Sequence, residues 1–166
     1  MSQDGYTDSR CNIRASLIPG AGYGLFATSH ILSRTLLCSY SGRFTPSAPV
    51  HYAARHVVYV PGRFGYVDGA PLVPQLLRGE LSLQHVGSAF MANSSTAPHC
   101  RRLDLTWNAF HRRTGTGHRM NRHQSSLHTV VVLVSTRDVS PGSELTWNYP
   151  IILNWPENRC AMHAPM

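Results

Sequence analysis

A mostly β protein, folded as one domain, is what this sequence predicts, and three observations carry the prediction. Its short apolar runs are rich in β-branched and aromatic residues, the types that pack well on a pleated surface. Its 13 glycines and 11 prolines are spread along the whole chain instead of gathering in a linker, so turn formers bound those runs. A length of 166 residues with 42% apolar content is enough to bury one real core.

The runs come in the order Leu36-Leu37-Cys38, His56 to Val60, Leu103 to Trp107, and the continuous Thr129-Val130-Val131-Val132-Leu133-Val134. Each reads as a short strand. Helical signal is thin: residues 72–86, LVPQLLRGELSLQHV, hold a turn or two at most, limited by Pro74 and Gly79. Residues 108–128, NAFHRRTGTGHRMNRHQSSLH, are the clearest shift in composition and read as an exposed basic loop between two strands. That loop is either a solvated hairpin tip or a finger that touches phosphate or an acidic surface.

Several classes are excluded. There is no window of 18 apolar residues to span a bilayer, and the opening MSQDGYTDSR has no apolar core of a secretory signal. The cysteines, Cys11, Cys38, Cys100 and Cys160, form no CxxC pair. This argues against a disulfide framework or a closed zinc site and points to a reducing, intracellular setting, nuclear or cytoplasmic. No carboxylate pair or Ser/His/Asp order suggests hydrolysis. The formal net charge is +7, and all 15 basic residues are arginine. Either the composition is simply biased toward arginine, or the partner is acidic or travels with nucleic acid.

Three stretches carry chemistry. IPGAGYGLFAT (18–28) has glycines at alternate positions, which lets backbone approach a ligand closely, but it has neither P-loop nor dinucleotide-fold spacing. FMANSSTAPHC (90–100) puts hydrogen-bonding groups directly behind a large apolar pair. SPGSELTWNYP (140–150) makes a turn at Pro141-Gly142 and then resumes an extended run ending in Tyr149.

Read together with CSYSGR (38–43) and GYVDG (65–69), in this order and at this spacing, the chain resembles the SET-domain protein lysine methyltransferases over roughly residues 12–152. Asn93, Ser95 and Pro98 match the family's Asn-rich stretch, and Gly142, Glu144, Leu145, Thr146 and Tyr149 match its final motif. Ser94, Thr96 and His99 replace the His, Cys and second Asn usual in the family, Phe90 stands where many members carry Arg, and Asn148 and Pro150 replace the common Asp and Gly.

The resemblance implies a SET fold of small sheets with a C-terminal, pseudoknot-like threaded segment. It would comprise an N-terminal extension (1–11), the domain (12–152) and a short tail (153–166). It implies S-adenosylmethionine as cofactor, met by Gly22, Tyr23 and Gly24 through backbone, by Asn93 at its amino-acid end and by Ser94 main chain at the adenine. Phe90-Met91-Ala92 would be a buried strand leading into that site. Tyr149 would be the catalytic hydroxyl, and Tyr40 and Tyr66 walls of the lysine channel. The substrate would be a lysine-bearing protein, such as a histone or another basic tail. A polyanion contact would run through Arg112, Arg113, Arg119 and Arg122. The zinc-binding tail of some members uses a cysteine matched by Cys100 and three more, of which only Cys160, with His163 near it, has a counterpart, so no metal is expected. Two other readings stay open: a SET-like module that binds peptide without catalysis, and a nucleic-acid binder working through residues 101–128.

Overall fold

The computed structural model describes residues 5–47, 56–115 and 128–148. Ten strands form two sheets, as the β-rich runs require. The larger sheet contains β1 (Cys11–Ala15), β2 (Tyr23–Ala27), β3 (Leu36–Ser39), β7 (Asn93–Ser94), β8 (Cys100–Thr106), β9 (Thr129–Ser135) and β10 (Glu144–Trp147). Its strand order is β1-β2-β10-β8-β9-β3, with β7 joined to β10. The smaller sheet has order β4-β6-β5, from β4 (Arg43–Thr45), β5 (Val57–Val60) and β6 (Gly65–Asp68).

The unbroken apolar run of β9 follows from its position. Val131 and Leu133 face the main core, and Val132 and Val134 face a second cluster with Leu105 and Phe110. A strand buried on both faces needs no polar alternation. In the main core Leu25, Ile31, Leu37, Phe90, Leu145 and Trp147 are almost wholly shielded from solvent.

β10 is the threaded segment. It runs antiparallel to β2, with Glu144 opposite Phe26, and parallel to β7, with Thr146 opposite Asn93 and Trp147 opposite Ser94. Trp147 also meets Cys100 of β8. The amides of Ser95 and His99 donate to the carbonyls of Trp147 and Thr146, so the 93–100 stretch wraps one edge of the strand.

Three sequence expectations need correction. Phe90-Met91-Ala92 does not form a strand: Ala89–Met91 is a 3₁₀ turn, closed by Met91 N–H donating to Ser88 O at 2.8 Å. Its burial is as expected. The Phe90 ring fills the space a side chain at Gly69 would take and lies edge-on to Tyr40. Extended backbone there could not deliver both contacts while handing the chain to β7. The basic segment is not all loop either. Its start forms helix α2 (Trp107–Thr114), ended by Gly115 at φ +70°. Phe110 and His111 bury one face of α2, and that packing offsets the poor helix propensity of the stretch. Residues 116–127 lie outside the described residues. The third correction is at strand limits, where the 103–107 run extends back to Cys100 and ends at Thr106. Residues 72–86 hold the short helix α1 (Val73–Leu77), with Pro74 in its first turn and Gly79 at φ +70° beyond its end.

Residues 5–11 are tied into the body. Asp8 N–H donates to Leu37 O at 2.7 Å, and Thr7 Oγ1 donates to Val86 O at 2.6 Å. Arg10 grips the Asp8 carboxylate through Nε at 2.9 Å and Nη2 at 2.7 Å. Burial alone would push the Asp8 carboxyl up, but the bonds from the Arg10 side chain and amide outweigh it and hold it below its ordinary 3.8. A carboxyl held low in the folded state contributes stability that is complete above its ordinary value and is lost as the pH falls through the folded value. Asp8→Asn should therefore lower the melting temperature at neutral pH and flatten its decline as the pH falls below the ordinary 3.8. Thermal melts across that range check it, and an acid limb unchanged by the substitution would contradict the assignment.

Candidate functional site

β1 and β2 are joined by the turn containing the alternate glycines. Gly20 (φ +73°) and Gly22 (φ +75°) adopt left-handed backbone, and a Cβ on either would meet nothing within 4 Å. Beside this open edge Tyr23 is half exposed and Ser94 is exposed.

Gly24 is different, because it lies where three segments converge. A Cβ there would collide with Glu144 Oε1 and come within 3.0 Å of Asn93 Nδ2. Only glycine permits that approach.

The centre of convergence is the Glu144 carboxylate at the start of β10, which is only 7% exposed. Its Oε1 accepts from Ser16 Oγ at 2.7 Å and from Asn93 Nδ2 at 2.8 Å, and its Oε2 accepts from Leu17 N–H at 2.9 Å. Asn93 Nδ2 also faces Tyr23 O at 3.1 Å and Ser16 Oγ at 3.2 Å. The glycine turn, the Asn-Ser stretch and the final motif are thereby bonded into one unit. Charge-assisted bonds of this kind are about twice as strong as neutral ones.

The turn residues and Asn93–Ser94 are therefore brought together, as a cofactor cradle requires. Open space beside left-handed glycines, backbone groups on both sides and an exposed aromatic ring suit an elongated polar ligand with an aromatic end. S-adenosylmethionine fits that description. The Asn93 amide nitrogen is used internally, so its contribution is to set Tyr23 and Glu144.

Tyr40 is buried, packs on Phe90 and lines a cavity of about 530 Å³ between the two sheets and the start of α2. Tyr66 is also buried and stacks on Tyr59 at 5.3 Å, on the face of its hairpin opposite to Val67, which lines that cavity. Arg112 and Arg113 occupy the exposed end of α2. Tyr149, Arg119, Arg122, Cys160 and His163 lie outside the described residues.

Cys11, Cys38 and Cys100 are buried and unbridged. Desolvation pushes the Cys11 and Cys100 thiols up to about 12 and raises Cys38 well above its ordinary value, so these groups stay protonated. Among the described residues no group of three His, Cys, Asp or Glu could hold a metal, and no helix is long and apolar enough to cross a membrane.

Ser16 and the buried role of Glu144 were not anticipated from the sequence. The available signal was an acidic residue inside an apolar strand pattern, ELTW, in a chain with only 8 acids.

A small β domain with a late strand threaded beside an Asn-bearing loop defines the SET class of fold. The sequence profile of the SET domain matches residues 22–150, and the chain belongs to that family. Its members are typically lysine methyltransferases that use S-adenosylmethionine. Among solved structures, the chain is similar to one in an active polycomb repressive complex 2 in the basal state, at 15% identity, TM-score 0.57, and coverage of 90% of this chain and 16% of that one. It is similar as well to one in a polycomb repressive complex 2 in an autoinhibited conformation bound to S-adenosylmethionine, at 16% identity, TM-score 0.58, and coverage of 92% and 16%. The chain thus spans about a sixth of the length of these neighbours. No curated protein sequence matches it significantly.

The Glu144 centre makes a direct prediction. Glu144→Ala leaves two side-chain donors and the Leu17 amide without their acceptor and should cost about 3 kcal/mol in denaturant unfolding. Gly24→Ala should cost about 1–3 kcal/mol by displacing the same carboxylate. Wild-type stability in both variants would remove Glu144 from the centre of the site.

Proposed function

We propose that this protein is an S-adenosylmethionine-dependent protein-lysine N-methyltransferase. The observation that carries the reading is the Asn93 amide, which touches Tyr23 O and Glu144 Oε1 at once and so makes one site of three motifs distant in sequence. Gly22, Tyr23, Gly24 and Ser94 would hold the cofactor mainly through backbone, which tolerates the departures at Ser94 and Thr96.

When bound, the cofactor would supply an activated methyl group for the lysine nitrogen. The chain's own residues position and select. A free lysine has a pKa of about 10.4, so the neutral amine must be favoured locally. Burial between aromatic walls does this by disfavouring the charged form. Tyr40, which borders the cavity, is the proposed wall, whereas Tyr66 packs on Tyr59 on the other face of its hairpin and does not line that cavity. The Tyr149 hydroxyl would orient the nitrogen, in keeping with a mechanism that rests on positioning. A histone tail is the first substrate to try. The exposed Arg112 and Arg113, with Arg119 and Arg122, are proposed to contact a polyanionic partner.

Four results are expected. Asn93→Ala should weaken S-adenosylmethionine binding markedly by calorimetry. Tyr149→Phe should lower methyl transfer to a mixed histone substrate by roughly 10²-fold while stability stays within about 1 kcal/mol. A control without substrate should show no label, since the chain contains no lysine. Near-normal transfer by Tyr149→Phe would end its catalytic assignment. Neutralising the four arginines should weaken binding to nucleosomes and flatten its salt dependence, with little effect on a short free peptide. Equal loss on both substrates would make the segment structural.

A further inference from the structure

The cavity bordered by Tyr40 has a charge that the proposed chemistry does not use. Its wall includes Arg43 of β4, Arg63 of the 3₁₀ turn after β5, and His128 before β9, and no aspartate or glutamate. Arg63 lies with its guanidinium carbon 4.3 Å above the Phe44 ring, so its head is held at the cavity by the ring face.

Neither arginine forms an ion pair among the described residues. Asp68, the cross-strand neighbour of Arg43, instead accepts from the Ala70 amide at 2.9 Å. Arg102 shows the contrast: it is clasped by Asp104 and also donates to Tyr59 O. Two exposed guanidinium groups left without a counter-charge beside a cavity form an anion-binding wall, and the bidentate fork of arginine suits a carboxylate. Trp107 and Phe44 add aromatic surface for the body of a bound peptide.

We infer that the lysine taken by this site is one flanked by acidic residues, whose carboxylates meet Arg43 and Arg63, and not one set in a basic tail. This rests on the methyltransferase reading, in which Tyr40 is a wall of the lysine channel, and it replaces the basic tail named there as first substrate with a lysine in an acidic setting. Arginine or lysine flanks would face the same cationic wall and be repelled. Charges at a partly exposed rim act mainly on encounter and selection, so the preference is salt-dependent.

The test uses three peptides with the same central lysine, flanked by Asp and Glu, by Ser and Ala, or by Arg. Transfer and binding are measured separately, the latter by fluorescence anisotropy, which needs no turnover. The expected result is kcat/KM at least about tenfold higher for the acidic than for the arginine peptide at low salt, with the same order in binding, narrowing as salt rises. The double variant Arg43→Gln/Arg63→Gln should erase the difference, and Arg43→Glu/Arg63→Glu should reverse it. Both side chains are exposed, and unchanged melting temperatures confirm that the variants fold. Equal transfer and equal binding across the peptides would overturn the inference and leave the enzyme reading intact. Selective binding of the acidic peptide without transfer to any of the three would do the opposite. A preference that survives the Gln variant, or failure of every peptide to bind, overturns the assignment to this cavity.

Discussion

The fold depends on one buried carboxylate. Glu144 sits nearly out of solvent at the start of β10, and its oxygens take donors from Ser16, Leu17 and Asn93. Taking an ionised carboxylate out of water is costly unless every acceptor site is used. The geometry around it is therefore strict: Gly24 must lack a side chain, Ser16 must turn its hydroxyl inward, and Asn93 must present nitrogen and not oxygen. Satisfying that one group aligns the glycine turn with the Asn-Ser stretch, and the proposed cofactor site is the open side of the same arrangement. Stability and ligand geometry come here from one set of bonds.

The rest of the site is arranged by the threading of β10. β2 bonds to it on one side, while β7 and the Ser95 and His99 amides bond to it on the other. The smaller sheet stands apart from this knot and meets it at β9 and the start of α2, leaving the cavity between. The glycine-turn edge and the cavity beside Tyr40 are thus built from different strands. On the cavity side Arg43 and Arg63 form no ion pair among the described residues.

Much of this was legible in the sequence because it rests on local pattern. Apolar runs of β-branched residues became strands, and β9 lacks polar alternation because both of its faces are buried. Gly20 and Gly22 were readable as turn glycines, and Asn93 and Glu144 as motif positions. What was not legible depends on contacts between distant segments. Nothing near Ser16 announces that its partner is Glu144. The 3₁₀ turn at Ala89–Met91 arises because Phe90 must fill the hollow above Gly69, a demand invisible to a propensity scale. Helix α2 was hidden by arginine and histidine, although Trp107, Phe110 and His111 fall at the spacing of one helix face. The opposed roles of Arg43 and Arg102 likewise follow from which carboxylates happen to be within reach.

The threaded strand has a consequence for how the molecule comes into being. β1 and β2 are made early on the ribosome, yet the carboxylate that completes their turn arrives only with residue 144, after almost every other described element. Until then the Ser16 and Asn93 groups have no ionic partner, and β2 and β7 each present an unpaired edge to water. Closing so long a loop is entropically slow, and folds dominated by distant pairings form slowly. Between the making of β7 and of β10 the nascent chain therefore carries a gap between two exposed strand edges, the kind of surface that chaperones cover and that other chains can invade. The glycine turn and the Asn-Ser stretch can therefore be locked together only after β10 has been made.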